Sequence, residues 1–151
     1  MILRRYNDCD FGAAAKLLYE TVHAVNAKDY NLEQLNAWAK SADVLSPRRA
    51  DLLRQNTLIA EIGGVTVGFA SMDNCGYLDF LYVHKDYQNQ GVATALCDEL
   101  EKPFSKITTY ASVTAKSFFE KRGYCVVREQ EAERYGVKLK NYFMLKIKEA
   151  E

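Results

Sequence analysis

Residues 80–101 join an apolar strand to a helix through a short polar turn, and this junction limits the folds that the chain can adopt. The stretch reads FLYVHKDYQNQGVATALCDELE, with Gly91 at the expected start of the helix. The first N–H groups of a helix have no intrahelical acceptor and lie at the positive end of its dipole, so they bind anions such as phosphate. The turn lacks the lysine and the serine or threonine of an ATPase phosphate loop, and it lacks the full glycine set of a dinucleotide-binding fingerprint. The sequence therefore predicts a backbone phosphate site of another kind.

A β-hairpin precedes this junction, and further strands and a helix follow it. The segments TLIAEI and VTVGFASM alternate in strand fashion on either side of Gly63 and Gly64, which supply the positive φ angles of a primed hairpin turn. Other strands are expected over residues 2–6, 76–83, 106–112, 124–131 and 141–148, and helices over residues 91–101 and 114–122. This order predicts an α/β (α+β) fold with a mixed sheet and helices on both faces.

Three helices are expected between the first strand and the hairpin. The first runs from about Phe11 to Val25, with Asp8 or Asp10 as its cap, and its apolar residues recur at three- and four-residue steps. The second begins after Asn31, which forms a capping-box pair with the glutamine three residues later. The third is a short helix or turn that ends near Gln55-Asn56. It opens at Ser46-Pro47, because proline is tolerated in the first helical position.

Composition and charge narrow the range of functions. The chain has 151 residues of which 48% are hydrophobic, so we expect one domain over residues 1–151 with a sizeable core. Its 20 basic and 20 acidic residues give a formal net charge of zero, which argues against a nucleic-acid or membrane-surface partner. The sequence shows neither a signal peptide nor an apolar run of about 18 residues, so we expect a cytoplasmic protein.

The four cysteines do not form a metal or redox motif. Cys9, Cys75, Cys97 and Cys125 are far apart in the sequence, without a CxxC pair or a nearby pair of histidines. We therefore expect free thiols, no metal site and no cysteine nucleophile. Cys97 and Cys125 lie in apolar patterns and are expected to act as small core residues.

Two motifs resemble those of the GNAT family of acyl-CoA N-acyltransferases. Leu81-Tyr82-Val83 followed by residues 88–93, QNQGVA, is similar to motif A of that family, and residues 112–124, SVTAKSFFEKRGY, are similar to motif B. The segments outside these motifs are similar to a bacterial subgroup, the YafP-type acetyltransferases. The resemblance implies the GNAT fold, a mixed and mostly antiparallel sheet whose central strands splay apart to admit the pantetheine arm of acetyl-CoA.

The resemblance implies acetyl-CoA (coenzyme A) as co-substrate and indicates which residues hold it. Three positions depart from the family pattern: Gln90 replaces a common lysine or arginine, Ser112 replaces a common asparagine, and Phe119 replaces a tyrosine proposed to protonate the leaving thiolate. The pyrophosphate is expected on backbone amides and the pantetheine on the strand and on motif B. The expected coenzyme-binding residues are Leu81, Tyr82, Val83, Gln88, Asn89, Gln90, Gly91, Val92, Ala93, Thr94, Ser112, Ala115 and Phe119.

Asp79 is the candidate general base. Direct acetylation of a neutral amine needs a group that takes up a proton, and Asp79 is expected to share a strand face with Tyr77, Leu81 and Val83. The alternative is that its carboxylate only binds backbone or a basic side chain at the sheet edge. Tyr77 is the second candidate catalytic residue. Hydroxyls able to protonate the leaving thiolate are expected at Tyr77, Ser112 and Tyr142.

Three residues are candidates for binding the acceptor substrate. His23 lies near the end of the first helix, which borders the acceptor groove in the GNAT fold, and histidine relays protons near neutral pH. The alternative is a helix-end histidine that the dipole favours. Trp38 is expected either in the core or in the wall of the acceptor site. Asn141, at the start of the last expected strand, is the third candidate.

These observations together predict an acetyl-CoA-dependent N-acetyltransferase. Its acceptor is expected to be a primary amine of a small molecule or peptide, acetylated by direct transfer in a ternary complex. The alternative is a non-catalytic acyl-CoA-binding module of the same fold, which Phe119 favours because phenylalanine has no proton to donate. The sequence leaves open the identity of the acceptor and whether the chain forms a homodimer.

Overall fold

The computed structural model describes residues 1–149, and a seven-stranded sheet runs through it. Neighbouring strands pair antiparallel except β4 and β5, which pair parallel. The predicted mixed, mostly antiparallel sheet is confirmed. In chain order the strands are β1 (Ile2–Arg5), β2 (Asn56–Ile62), β3 (Val65–Met72), β4 (Tyr77–Val83), β5 (Lys106–Ser112), β6 (Cys125–Arg134) and β7 (Val137–Ile147), and their spatial order is β1-β2-β3-β4-β5-β7-β6.

Helices cover both faces of this sheet, as the sequence predicts. One face, here called the α1 face, packs against α1, α2 and α3, and the opposite face, the α4 face, packs against α4 and α5. No helix within residues 1–149 is long and apolar enough to cross a membrane. The helices are α1 (Phe11–Ala24), α2 (Leu32–Trp38), α3 (Arg49–Arg54), α4 (Val92–Glu101) and α5 (Lys116–Lys121).

The start of α1 differs from the sequence expectation. Asp8 and Asp10 lie in a short 3-10 helix that Asn7 caps, and neither side chain caps α1. The Asp10 carboxylate instead accepts two hydrogen bonds from the Arg4 guanidinium, at 2.7 and 2.8 Å. This charged bond holds the pKa of Asp10 below its usual value and ties the first strand to the start of the helix.

The predicted start of the second helix is confirmed, and the predicted start of the third is wrong. Asn31 caps α2 through the expected capping box. A 3-10 helix over Ala42–Arg48, capped by Ser41, precedes α3, so Pro47 lies inside helical structure and does not open it. Proline has no N–H group to donate to the helix, and the missing bond is tolerated here because Pro47 is the last residue but one of a short 3-10 helix.

The two central strands separate soon after they meet. The parallel pairing of β4 with β5 consists of Tyr77 opposite Thr108 and Leu78 opposite Thr109. Beyond these pairs the two strands diverge, and the edge of β4 that faces β5 is left without a strand partner. The splayed sheet expected from the family resemblance is therefore present.

A β-bulge in β4 sets the direction of Asp79. Adjacent residues of β3 pair with Phe80 and Leu78, so Asp79 is the extra residue between them. Asp79 and Phe80 consequently lie on the same face of the sheet, the α1 face, where the Arg48 guanidinium stands 4.9 Å above the Phe80 ring and forms an ion pair with Asp79.

This bulge corrects the sequence expectation for Asp79. A strand without a bulge would place Asp79 on one face with Leu81 and Val83, but both of these side chains pack toward the α4 face. Of the three residues expected to share a face with Asp79, only Tyr77 does. The error arises because an extra residue shifts the two-residue alternation, and nothing in the local pattern marks it.

The cysteines are free, and one of the two expected core thiols is not in the core. Cys97 is fully buried on the inner side of α4, and burial raises the pKa of its thiol to about 12. Cys125 is exposed at the start of β6, which is an edge strand of the sheet and is exposed over most of its length. Among the residues that the structure describes, no cluster of histidine, cysteine, aspartate and glutamate could hold a metal ion.

A buried carboxylate joins the α4 side of the molecule. Glu101, at the end of α4, is 2% exposed and accepts hydrogen bonds from Lys146 Nζ at 2.7 Å and Tyr124 Oη at 2.8 Å. Arg122 Nη2 lies 3.0 Å from the same carboxylate. These contacts connect α4 with β7 and with the segment that follows α5, so Glu101 fixes how the C-terminal strands sit against the helix.

We expect Glu101→Gln to lower the free energy of unfolding by about 3 kcal/mol or more, because it leaves buried cations without their carboxylate. Glu99→Gln is the matched control, since Glu99 pairs with Lys102 on the surface of the same helix and its loss should change stability by less than about 0.5 kcal/mol. Urea denaturation measures both values. Equal losses in the two variants would contradict this account of the Glu101 network.

Candidate functional site

A cavity of about 730 Å³ fills the gap where β4 and β5 separate. The ends of both strands form its walls, with the turn before α4, the start of α5 and the α1–α2 loop around them. Every expected coenzyme-binding residue except Gln90 lines this cavity, namely Leu81, Tyr82, Val83, Gln88, Asn89, Gly91, Val92, Ala93, Thr94, Ser112, Ala115 and Phe119.

The start of α4 presents backbone N–H groups to the cavity. Asn89 and Gly91 adopt left-handed conformations, with φ of 59° and 81°, and this turns the chain sharply into the helix. Ala95 N donates to Gly91 O at 3.0 Å as the first bond of the helix, so the preceding three N–H groups point out of its end. Such a concave run of N–H groups, at the positive end of a ten-residue helix, binds anions.

Gln90 contributes no side chain to this site. Its amide group is exposed and lies 3.4 Å from Asp86 O. Gln88 instead turns inward, and its Nε2 donates to Val83 O at 2.6 Å, which holds the turn against the end of β4. The turn before α4 therefore presents backbone groups and neutral side chains to the cavity, and the two lysines among the lining residues, Lys28 and Lys121, come from other elements.

The far wall of the cavity comes from motif B and from a residue that the sequence analysis missed. Ser112 Oγ accepts a hydrogen bond from Ala115 N at 3.1 Å, and Asn26 Nδ2 lies 3.5 Å from the same hydroxyl. Asn26 is buried in the α1–α2 loop and lines the cavity, but no local motif marks it. Phe119 is 3% exposed and packs edge-on against Phe118.

Trp38 and Tyr82 meet across the α1 face of the cavity. Trp38 Nε1 donates to Tyr82 Oη at 3.3 Å, and the Tyr30 ring packs edge-on against Trp38 at 5.4 Å. Burial raises the pKa of Tyr82 to about 12. The Tyr82 hydroxyl is thus protonated at neutral pH. Its oxygen accepts the hydrogen bond from the Trp38 indole, so its own O–H remains available to donate to another group.

Asp79 lines the same cavity and has two partners on its inner side. Arg48 forms an ion pair with Oδ2, and Gln55 Nε2 donates to that oxygen at 3.2 Å. Arg48 is itself held by Asp51, at 2.6 Å. In the described part of the chain Oδ1 accepts no hydrogen bond, whereas Oδ2 has both partners.

Two of the hydroxyls expected near the leaving thiolate lie elsewhere. Tyr77 does not line the cavity, because it packs behind Tyr110 with ring centroids 6.0 Å apart, and burial raises its pKa to about 12. Tyr142 lies on the α4 face, where Lys116 Nζ stands 5.1 Å from its ring. Tyr110 takes the position next to the cavity instead. Its alternation with Ser112 along β5 is the sequence signal that could have found it.

Of the three candidate acceptor-binding residues, only Trp38 lines the cavity. His23 Nε2 lies 2.7 Å from Ala39 O and packs against Tyr19, in a separate surface cleft that also contains His84. Asn141 pairs with Ser112 across β5 and β7, behind the wall of the cavity. The structure therefore places His23 and Asn141 outside the cavity. The His23 side chain lies in the separate cleft, and Asn141 shares the sheet face of Ser112 but is one strand further from the gap between β4 and β5.

Comparison with known proteins gives a consistent result. Residues 26–146 match the model of the acetyltransferase (GNAT) domain family. The chain is 33% identical over 142 residues to the N-acetyltransferase YafP of Escherichia coli strain K12, which covers 94% of this chain and 93% of the relative.

Solved structures share the architecture. The crystal structure of a GCN5-related N-acetyltransferase from Rhodopseudomonas palustris superimposes with a TM-score of 0.91 at 38% identity, over 97% of this chain and 94% of the other. PaiA N-acetyltransferase from Thermoplasma acidophilum, in complex with coenzyme A, has a TM-score of 0.76 at 17% identity, over 97% of this chain and 98% of the other. At this identity the second comparison supports the fold alone.

Tyr82→Phe removes the acceptor of the Trp38 N–H group. We expect the free energy of unfolding to fall by about 1 kcal/mol, the usual net contribution of a neutral hydrogen bond. The emission of Trp38, the single tryptophan, should shift as its N–H loses this partner. Tyr135→Phe, in the exposed turn between β6 and β7, should change neither property. Identical emission and stability in wild type and Tyr82→Phe would contradict this contact.

Proposed function

Because the chain belongs to the GNAT acetyltransferase family, we propose that it transfers the acetyl group of acetyl-CoA directly to a primary amine. The observation that carries this proposal is that one cavity combines the splayed strands, the open N-terminus of α4 and the carboxylate of Asp79. A binding site for a long phosphate-bearing thioester and a proton acceptor for an amine thus meet in one space.

Different residues of the cavity bind different parts of the coenzyme in this proposal. The N–H groups at the start of α4 bind the pyrophosphate, and the free edge of β4 beyond Leu78 offers main-chain groups to the amides of the pantetheine arm. Ser112 and Asn26 hold the opposite side of this channel. Bound acetyl-CoA supplies an activated thioester, whose carbonyl carbon takes the amine nitrogen as the thiol leaves.

Asp79 and Tyr82 handle the protons in this proposal. Asp79 Oδ1 accepts the proton that the amine loses, directly or through one water, while Arg48 and Gln55 fix the carboxylate from behind. Tyr82 donates a proton to the departing sulfur, because its hydroxyl lines the cavity and stays protonated. A thiol with an ordinary pKa of about 8.5 is also a fair leaving group without such help.

A non-catalytic acyl-CoA-binding module is the second candidate function. Phe119 favours it, because it lines the cavity at the position where the family pattern has a tyrosine and carries no hydroxyl. Release of free thiol from acetyl-CoA in the presence of a panel of primary amines distinguishes the two. An acetyltransferase releases thiol with at least one amine, and the module binds the coenzyme and releases none.

Gly91→Val should weaken the binding of coenzyme A at least tenfold in a calorimetric titration. An added Cβ at Gly91 meets no other described atom within 4 Å, and Gly91 lines the cavity, so a valine side chain should fit the fold and occupy space proposed for the pyrophosphate. The left-handed backbone at this position also strains any side chain, by about 1–2 kcal/mol.

Gly64→Val is the matched control for that strain. Gly64 has a φ of +77°, against +81° for Gly91, and its added Cβ likewise meets nothing within 4 Å, but it lies in the turn between β2 and β3. We expect both variants to lose similar stability and only Gly91→Val to lose affinity. Coenzyme affinity that is equal in the two variants would place the pyrophosphate elsewhere.

Asp79→Asn should lower kcat with an accepted amine by roughly ten- to ten-thousand-fold, the range typical of a general base, without weakening coenzyme binding. Asp51→Asn is the matched control, because Asp51 also pairs with Arg48 but does not line the cavity. A loss of the same size in Asp51→Asn would show that the Arg48 network, and not the Asp79 carboxylate, is responsible. A wild-type rate at every pH in Asp79→Asn would remove the proposed role.

A further inference from the structure

An aromatic platform borders the mouth of the cavity on the α1 face of the sheet. Tyr77, Tyr110 and Phe143 form it, with ring centroids 6.0 Å apart for the first pair and 5.0 Å for the second. None of the three packs in either core, and Tyr110 is 41% exposed while it also lines the cavity. The platform is therefore a continuation of the cavity wall that leads outward along β5 and β7.

Arg128 lies at the outer end of this platform and is held in one orientation. Its guanidinium stands 4.6 Å above the ring of Phe143, Nη2 donates to Tyr110 Oη at 3.2 Å, and Nε donates to Gln130 Oε1 at 3.2 Å. Within residues 1–149, Nη1 has no hydrogen-bond partner. A planar guanidinium that is stacked and oriented in this way loses little further entropy when it binds an anion.

Arg128 also lacks a carboxylate partner among the residues that the structure describes. The alternation of β6 places Glu129 and Glu131 on the opposite face, where they pair with Lys140 and Lys138. Five other arginines do contact a carboxylate, namely Arg4, Arg48, Arg49, Arg54 and Arg122. Arg128 is thus an oriented cation whose charge the protein does not neutralise nearby.

We propose that Arg128 and the aromatic platform bind a carboxylate on the acceptor, so that the acceptor is an amine with a carboxylate at the far end of a flat or apolar body. This inference rests on the proposed transfer to an amine. The amine lies in the cavity at Asp79, the body of the acceptor lies along Tyr110 and Phe143, and the carboxylate meets the guanidinium. An α-amino acid is too short, because Asp79 lies on β4 and Arg128 on β6, which are three strand spacings of about 4.8 Å apart in the order β4-β5-β7-β6.

A pair of ligands that differ only in charge tests this inference. We would titrate 4-(aminomethyl)benzoate and 4-(aminomethyl)benzamide into the protein loaded with coenzyme A and measure both dissociation constants by calorimetry. The acid should bind at least about tenfold tighter than the amide, since a hydrogen bond to a charged group contributes more than a neutral one. Arg128→Gln should bring the acid down to the affinity of the amide, and Arg128→Lys should retain part of the difference, because lysine keeps the charge without the planar fork.

Arg134→Gln is the matched control, because Arg134 is an exposed arginine at the far end of the same strand. It should leave the acid–amide difference intact, and all variants should keep the wild-type melting temperature and coenzyme affinity. The proposal is overturned if neither ligand binds, if wild type binds both equally, if the preference survives in Arg128→Gln, or if Arg134→Gln removes it.

Steady-state thiol release with the same two ligands separates this inference from the proposed function. With the acid as acceptor, Arg128→Gln should raise KM about tenfold and leave kcat unchanged, because the carboxylate contact is the same before and during transfer. If the acid binds through Arg128 but no amine releases thiol, the transfer proposal fails and the binding site stands. If thiol is released with equal kcat/KM from acid and amide, the site is wrong and the transfer stands.

Discussion

The shortness of the contact between β4 and β5 is the constraint on which the rest of the structure depends. Their parallel pairing ends at Leu78 and Thr109, where Thr109 Oγ1 donates to Leu78 O at 2.9 Å. Past this point the two strands separate while each remains paired on its other side, β4 with β3 and β5 with β7. The gap between the two strands forms the cavity, and the unpaired main-chain groups of β4 lie along one of its walls. The start of α4 also lines this cavity.

Long-range polar contacts then hold the α1–α2 segment over this opening. Asn26 reaches Ser112 on β5, Trp38 reaches Tyr82 on β4, and the Tyr30 hydroxyl accepts a hydrogen bond from Val113 N at 2.9 Å. Two of these contacts reach the end of β5 and the third reaches β4, so the segment is bonded to both sides of the gap. These groups are buried or half-buried, so leaving one of them without a hydrogen-bond partner destabilises the fold by more than the formed bond stabilises it. The contacts therefore favour a single position of the α1–α2 segment over the gap.

Charge is distributed unevenly around the site. Asp79 pairs with Arg48, which also pairs with Asp51, and Asp51 in turn pairs with Arg54, so two carboxylates and two guanidinium groups balance at this end of the site. Arg128 has no such partner in the described chain and stands at the outer end. The difference follows from strand geometry. The bulge at Asp79 turns its carboxylate toward Arg48, whereas β6 alternates regularly from Arg128 onward, after its own register shift, and this turns Glu129 and Glu131 to the other face.

The sequence by itself determined the features that depend on neighbours in the chain. The two-glycine hairpin, the capping box at Asn31 and the glycine start of α4 follow from local pattern, because turn conformation and helix ends are set within a few residues. The expected coenzyme-binding residues came from the resemblance of two motifs to the GNAT family, and all of them except Gln90 line the cavity. Only the tertiary structure decided the face of Asp79, the burial of Tyr77 behind Tyr110, the outward direction of His23 and the exposure of Cys125. Those outcomes depend on which strands pair and where a bulge interrupts the register, and these are contacts between residues far apart in sequence.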